Sequence, residues 1–147
     1  RPAADIRQML CGTQSAISMA LAEVGVDIFL KTNMAAIESK SRAMTSLFIE
    51  LIDQRCSELG FEIESPREAD QRGSQVALSH TQCYAIIQAL IARGVIGDFR
   101  APATLRFGFA PLYLSYSDVW DAVEHLQQVM VNEEWAKPSY QQRQPVT

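Results

Sequence analysis

The chain begins with two segments in which apolar residues recur every three or four positions. In the first, Ile17, Leu21, Val24 and Ile28 predict an amphipathic helix over residues 15–30. A second helix is predicted over residues 34–59, because Gly60 supplies a stop that can adopt the left-handed conformation. Its inward stripe comprises Ile37, Met44, Leu47, Phe48, Leu51 and Ile52. The length of this helix indicates an element that crosses a whole domain.

The hydrophobic period then changes to two, which is typical of strands. Strands are predicted at Phe61–Ile63, Val76–Leu78, Val95–Ile96 and Leu105–Phe107, and the polar stretch 65–74 is interpreted as a surface loop. Between the second and third strands, a helix is predicted from Thr81 to Gly94. After the fourth strand, Ser117 is expected to cap a last helix that turns Val119, Val123, Leu126 and Met130 inward, and a polar tail follows from Lys137.

This order of helices and short strands predicts an α+β fold in which an antiparallel sheet packs against helices. The long second helix precedes the sheet and is expected to connect it to another domain.

Composition narrows the classes of function. The 147 residues include 48% hydrophobic and 20% charged residues, as in ordinary globular domains. The net charge of −4 and the lack of a basic stripe argue against nucleic-acid binding. The sequence contains no apolar run of about 18 residues that could span a membrane, so a cytoplasmic location is expected. Three widely spaced cysteines and two distant histidines support neither a disulfide framework nor a metal site.

One charged residue stands in an apolar strand. Leu105 and Phe107 can both face a core only if Arg106 points to the opposite face, where its guanidinium would be partly desolvated and would need a partner. A guanidinium matches a carboxylate through two parallel hydrogen bonds, so Arg106 could hold a substrate carboxylate. The alternative is a structural ion pair with Asp98 or Asp118, and the residues alone favour it. Arg100 is interpreted as structural.

Several short phrases resemble kynureninase, particularly the bacterial type, in the same order along the chain. They are Cys11-Gly12-Thr13, Asp27-Ile28-Phe29, Lys40-Ser41, Gly73-Ser74-Gln75, Arg93-Gly94-Val95, Asp98-Phe99-Arg100, Arg106-Phe107-Gly108 and Pro111-Leu112-Tyr113. The resemblance implies a homodimeric pyridoxal-phosphate enzyme of the aspartate-aminotransferase fold type. Such an enzyme hydrolyses L-kynurenine to anthranilate and L-alanine in tryptophan catabolism, on the route to NAD. Residues 1–33 would then join from a large cofactor-binding domain, and residues 34–147 would form the C-terminal small domain.

The resemblance also assigns roles to two residues. Arg106 corresponds to the arginine that binds the substrate carboxylate, and an arginine held in an internal ion pair away from any cleft would contradict this role. Thr13 resembles the residue that contacts the cofactor near the substrate ring, although it could instead cap the first helix. The Gly12-Thr13 pair implies a preference for kynurenine over its 3-hydroxy form.

No catalytic residue is assigned to the chain, because the family's Schiff-base lysine has no match in it. Lys31, Lys40 and Lys137 are the lysines of the sequence, and all three are predicted to lie on the surface. The missing lysine is expected in a large domain preceding Arg1, so the chain alone is expected to be inactive. The alternatives are the small domain of another pyridoxal-phosphate enzyme, such as a cysteine desulfurase or an aminotransferase, and a non-catalytic interaction module.

Overall fold

The computed structural model describes residues 5–9 and 12–143, and these fall into two compact units. The first unit spans residues 1–36 and the second spans residues 37–147.

The first unit consists of a short 3-10 turn, Ile6–Met9, and helix α1, Ala16–Leu30. Ser15 caps α1, since its side-chain oxygen accepts a hydrogen bond from the backbone N–H of Ser18. The predicted helix is present, but it is not amphipathic as expected, and none of its residues is buried. Ile17 and Leu21 are 75% and 69% exposed. Apolar residues occupy all sides of this helix, interrupted only by Ser18, Glu23, Gly25 and Asp27, so it has no single hydrophobic face.

Helix α2, Met34–Arg55, starts at Asn33, whose side-chain oxygen accepts from the N–H of Ala36 at 2.8 Å. It ends four residues earlier than predicted. The chain then tightens into turns in which the N–H of Leu59 donates to the carbonyl of Cys56 at 3.0 Å. Gly60 follows with the left-handed φ of 80° that the sequence predicted at this stop.

Four strands form one antiparallel sheet in the order β1-β2-β4-β3. The strands are β1, Glu62–Ile63, β2, Gln75–Ser79, β3, Asp98–Arg100, and β4, Thr104–Gly108. The sheet packs against helices, which confirms the predicted α+β class. The cis peptide bond Ala101–Pro102 lies in the turn between β3 and β4.

Helix α3, Cys83–Ala92, begins two residues after the predicted start and leads into β3. The predicted strand at Val95–Ile96 was wrong, and Ile96 is 86% exposed. The N–H groups of Gly94 and Val95 donate back to the carbonyls of Ile91 and Leu90, which terminates α3 in a Schellman motif. The N–H of Val95 is therefore used by the helix end, and the strand begins only at Asp98.

Helix α4, Tyr116–Val131, starts at Ser115 instead of Ser117. Ser115 and Asp118 form a reciprocal capping box, in which each side chain accepts from the other residue's backbone N–H. A 3-10 turn, Glu134–Ala136, and the short helix α5, Pro138–Gln141, complete the described chain.

The core lies between the inner face of the sheet and helices α2, α3 and α4. Phe48 of α2 is fully buried, and its ring centroid lies 5.0 Å from that of Phe107 and 5.2 Å from that of Phe109. Fully buried neighbours come from every layer and include Met44, Val76, Leu78, Ile86, Leu90, Leu105, Val119, Val123 and Leu126.

The loop 65–74 is not entirely on the surface, contrary to the prediction. Arg72 is only 9% exposed, and its guanidinium donates to the carbonyls of Pro66 and Arg67 and to the hydroxyl of Ser46. These acceptors hold the loop against α2. Within the described residues, no helix is long and apolar enough to cross a membrane.

Candidate functional site

The open face of the sheet holds the charged residues that the sequence singled out. Leu105 and Phe107 are 0% and 5% exposed in the core, and Arg106 between them faces the opposite side with its side chain 30% exposed. This alternation confirms the predicted orientation of Arg106. Its cross-strand neighbours are Ala77 of β2 on one side and Asp98 of β3 on the other.

Arg106 forms an ion pair with Asp98, which was one of its two predicted partners. Arg106 Nε donates to Asp98 Oδ2 at 3.1 Å, and Arg106 Nη2 donates to the same oxygen. Asp118, the other predicted partner, instead caps α4. The ion pair that the sequence offered as the alternative to substrate binding is therefore present. Because the side chains of Arg106 and Asp98 are 30% and 48% exposed, the pair is not internal, and the role of Arg106 toward a substrate stays a prediction.

The same carboxylate also serves Arg100, which the sequence did not predict. Arg100 Nε lies 3.0 Å from Asp98 Oδ2, so two guanidinium groups share one carboxylate oxygen. The hydrogen bond from Arg106 lowers the pKa of Asp98, and the charge of Arg100 lowers it further. Asp98 is thus ionised at neutral pH, and the three side chains carry a net charge of about +1. This net charge is that of the three side chains alone, because the carboxylate of Glu64 also lies near β4, where it accepts a hydrogen bond from Thr104 at 2.9 Å.

A cavity of about 300 Å³ lies on the helix side of the sheet. Phe107, Phe109, Leu114, Val119 and Ala122 provide its apolar walls, and Arg106 is not among its lining residues. Any ligand of Arg106 must therefore approach on the open face. The residues that line the cavity include Arg93, whose half-buried side chain the sequence did not single out. It makes two hydrogen bonds to Glu134, at 2.9 and 2.5 Å, and contacts His125 and Gln128, so it ties together α3, α4 and the turn after α4.

Thr13 lies in the first unit, exposed in the irregular segment before α1. Ser15 fills the capping position, so the alternative role considered for Thr13 is taken by its neighbour. Cys11 lies outside the described residues. The role of Thr13 toward a cofactor stays a prediction.

Lys40 is held more tightly than predicted. Its ammonium group donates to the carbonyls of Pro111 and Leu114, both at 2.7 Å, and its side chain is half-buried. The amino group is thus engaged by two carbonyl acceptors, whereas a lysine that bonds covalently to an aldehyde must present a free amine. Lys31 lies exposed at the end of α1, and Lys137 lies 5.8 Å from the ring of Tyr140. These three lysines do not fit the covalent attachment of pyridoxal phosphate.

Across residues 5–9 and 12–143, no group of three or more His, Cys, Asp or Glu side chains could hold a metal ion. Cys56 and Cys83 are free and buried. Burial raises the pKa of Cys56 to about 11, and it also raises the pKa of Cys83.

Comparisons with known proteins agree on one family. Residues 37–126 match the family model described as the kynureninase C-terminal domain. The chain is 48% identical over 146 residues to a kynureninase of Pseudomonas fluorescens, and 47% identical over 146 residues to kynureninases of Burkholderia mallei and Burkholderia pseudomallei. Each match covers 99% of this chain and 35% of the relative. The chain thus spans about a third of the length of the curated relatives it matches.

Proposed function

The chain belongs to the kynureninase C-terminal domain family, and from this premise we propose that it forms the small-domain part of an enzyme that hydrolyses L-kynurenine to anthranilate and L-alanine. Neither alternative considered from the sequence, another pyridoxal-phosphate enzyme or a non-catalytic module, is favoured by the comparisons.

The observation that supports this proposal is that Asp98, on the open face of the sheet, is shared by two arginines. Arg106 and Arg100 together hold two positive charges against the one negative charge of Asp98. An amino acid such as kynurenine brings a carboxylate that balances this excess. In the proposed complex, Arg106 binds that carboxylate and thereby orients the bond to be broken.

Pyridoxal phosphate, when bound, supplies the electron sink for cleavage of the carbon–carbon bond. The lysine that holds it is proposed to lie in the part of the enzyme that corresponds to the unmatched two-thirds of the relatives. Thr13 is proposed to contact the cofactor. We assign no chemical step to the lysines of this chain.

The apolar surface of α1 supports a larger assembly. Eight large hydrophobic residues of α1 are each at least 47% exposed within the first unit: Ile17, Met19, Leu21, Val24, Val26, Ile28, Phe29 and Leu30. A helix that is apolar on all sides is normally buried. We therefore propose that residues 1–33 join a large domain.

We further propose that the complete enzyme is a cytoplasmic homodimer. We also propose that it prefers kynurenine to the 3-hydroxy form.

A chimera tests this function directly. The third of the Pseudomonas fluorescens kynureninase that this chain matches is replaced by residues 1–147, and release of anthranilate from L-kynurenine is measured with and without added pyridoxal phosphate. We expect cofactor-dependent turnover by the chimera and none by the 147-residue chain alone. A folded, cofactor-loaded chimera that does not cleave kynurenine, beside an active parent enzyme, would contradict the proposal.

Arg106 variants of the chimera test the site. Arg106→Gln removes the charge, and we expect kcat/KM to fall by about 2–3 kcal/mol in free-energy terms, mainly through a higher KM. Arg106→Lys keeps the charge but loses the planar fork, so it should recover only part of the loss. Arg42→Gln, on the exposed side of α2, is the matched control. Unchanged kinetics in Arg106→Gln would remove Arg106 from the site.

A further inference from the structure

Asp98 makes contacts that a simple surface counter-ion does not need. It lies directly opposite Arg106 in the β3–β4 register, and it receives both Arg106 Nε and Arg106 Nη2 on one oxygen. The adjacent Arg100 adds a third donor to that oxygen. The carboxylate therefore joins two side chains that would otherwise repel each other.

The nitrogen atoms of Arg106 that donate to Asp98 determine which edge of the guanidinium remains available to a ligand. A guanidinium can grip a carboxylate along the side edge, formed by Nε and Nη2, or along the terminal edge, formed by Nη1 and Nη2. Asp98 holds the side edge. Among the described residues, no partner is found for Arg106 Nη1, and the side chain is 30% exposed. The terminal edge is thus the one free to receive an incoming carboxylate.

We propose that Asp98 is a positioning residue for substrate recognition: from β3 it holds the side edge of Arg106 and directs the terminal edge toward the carboxylate of the substrate. The inference rests on the proposed function and adds to it a residue that acts through Arg106. Asp98 itself does not touch the substrate. Fixing a guanidinium in advance reduces the freedom it loses when it binds.

Electrostatics alone would predict the opposite effect of Asp98 on substrate binding. The direction of the change in KM therefore distinguishes the two roles. If Asp98 merely competed with the substrate for Arg106, its removal would leave two unopposed positive charges and would tighten carboxylate binding. If Asp98 positions Arg106, its removal lets the guanidinium move away from Arg100 and weakens binding. The two roles predict changes of KM in opposite directions.

The experiment uses the chimera with Asp98→Ala, Asp98→Asn and, as a control, Asp121→Ala on the exposed side of α4. For Asp98→Ala we expect kcat/KM to fall about tenfold or more, mainly through KM, because charged hydrogen bonds are lost. Asp98→Asn keeps an acceptor oxygen for Arg106, so it should lose only about threefold. Asp121→Ala should match the unsubstituted chimera.

A double-mutant cycle separates positioning from a merely structural role. If Asp98 acts through Arg106, Asp98→Ala should have almost no further effect on kcat/KM in the Arg106→Gln background. A lower KM in Asp98→Ala, an unchanged kcat/KM, or effects that simply add would each overturn the inference. These outcomes leave the proposed function standing, whereas an inactive unsubstituted chimera or an insensitive Arg106→Gln would defeat that function itself.

Discussion

At the scale of single residues, the arginines of this chain differ in what surrounds them. Arg72 is buried and donates to two carbonyls and a hydroxyl, and these three acceptors are neutral. Burial accordingly lowers its pKa, although the group remains charged. Arg106, by contrast, is half-exposed and shares its carboxylate with Arg100. The first arrangement stabilises a loop, and the second places two guanidinium groups on one carboxylate.

His80 provides a residue-scale prediction about pH. The N–H of Gln82 donates to His80 Nδ1 at 3.0 Å, so the ring is bound in its neutral form. Burial lowers its pKa, and a hydrogen bond to the backbone of Leu59 opposes that shift only in part. Since the unfolded chain takes up this proton first, the stabilisation is complete above about pH 6.5 and declines as pH falls toward 5.

Urea unfolding at pH 7 and pH 5 measures this effect. The free energy of unfolding should fall between the two pH values, and His80→Gln should show a smaller fall than the unsubstituted chain. His125→Gln is the matched control. The carboxylates with lowered pKa values, such as Asp98 and Glu134, titrate below this window and do not obscure it. An equal fall in the His80→Gln variant would show that the ring is not responsible.

The alternation of side chains along a strand was enough to predict that Arg106 points away from the core. Its need for an anionic partner suggested two candidates, Asp98 and Asp118. The sequence could not predict that Arg100 shares Asp98. That sharing depends on the register of β3 against β4, which the intervening turn sets. It also depends on β3 beginning at Asp98 and not at Val95, and the hydrophobic pattern suggested the earlier start.

At the scale of elements, helix periodicity predicted α1 to α4 well, while their ends and surroundings were less predictable. The end of α3 illustrates why. Val95 and Ile96 are β-branched and suggest a strand, but the N–H of Val95 closes the helix by bonding to the carbonyl of Leu90. Similarly, the spacing in α1 predicted a helix correctly but could not show that nothing in its own unit covers it.

Gly97 offers an element-scale prediction, because it lies close to both α3 and β4. A Cβ atom there would lie 2.7 Å from Ile87 Cδ1 and 3.1 Å from the carbonyl oxygen of Arg106. The isoleucine tip can move, but the strand backbone cannot without disturbing the β3–β4 pairing. We expect Gly97→Ala to lower the free energy of unfolding by about 1–3 kcal/mol, as overpacking does.

Gly108 on β4 provides the control, since a Cβ there meets nothing within 4 Å. Gly108→Ala should change stability by no more than about 0.5 kcal/mol. Thermal or urea unfolding of both variants gives the comparison. Equal stabilities for the two alanine variants would show that the close approach at Gly97 is not a constraint.

At the scale of the whole molecule, the prediction concerns α1. If a large domain covers this helix, burial of Leu21 and Val24 alone contributes about 3 kcal/mol, which corresponds to roughly hundredfold slower local opening. Hydrogen exchange of α1 amides should therefore be about a hundredfold slower in the chimera than in the 147-residue chain. The amides of α4, which packs into its own core, should exchange similarly in both. Fast exchange of α1 in an active chimera would contradict the proposed interface.

The position of β3 at the border of the sheet has a consequence for how the proposed site could diversify. In the described sheet, β3 is an edge strand that pairs with β4 on one side. The other side of β3 makes no hydrogen bonds to a neighbouring strand of this sheet. Substitutions or insertions in the turn at residues 101–103 can shift Asp98 slightly while β4 keeps Arg106 in the middle of the sheet. If Arg106 binds a carboxylate as proposed, a library confined to that turn would adjust the affinity in small increments without changing β4.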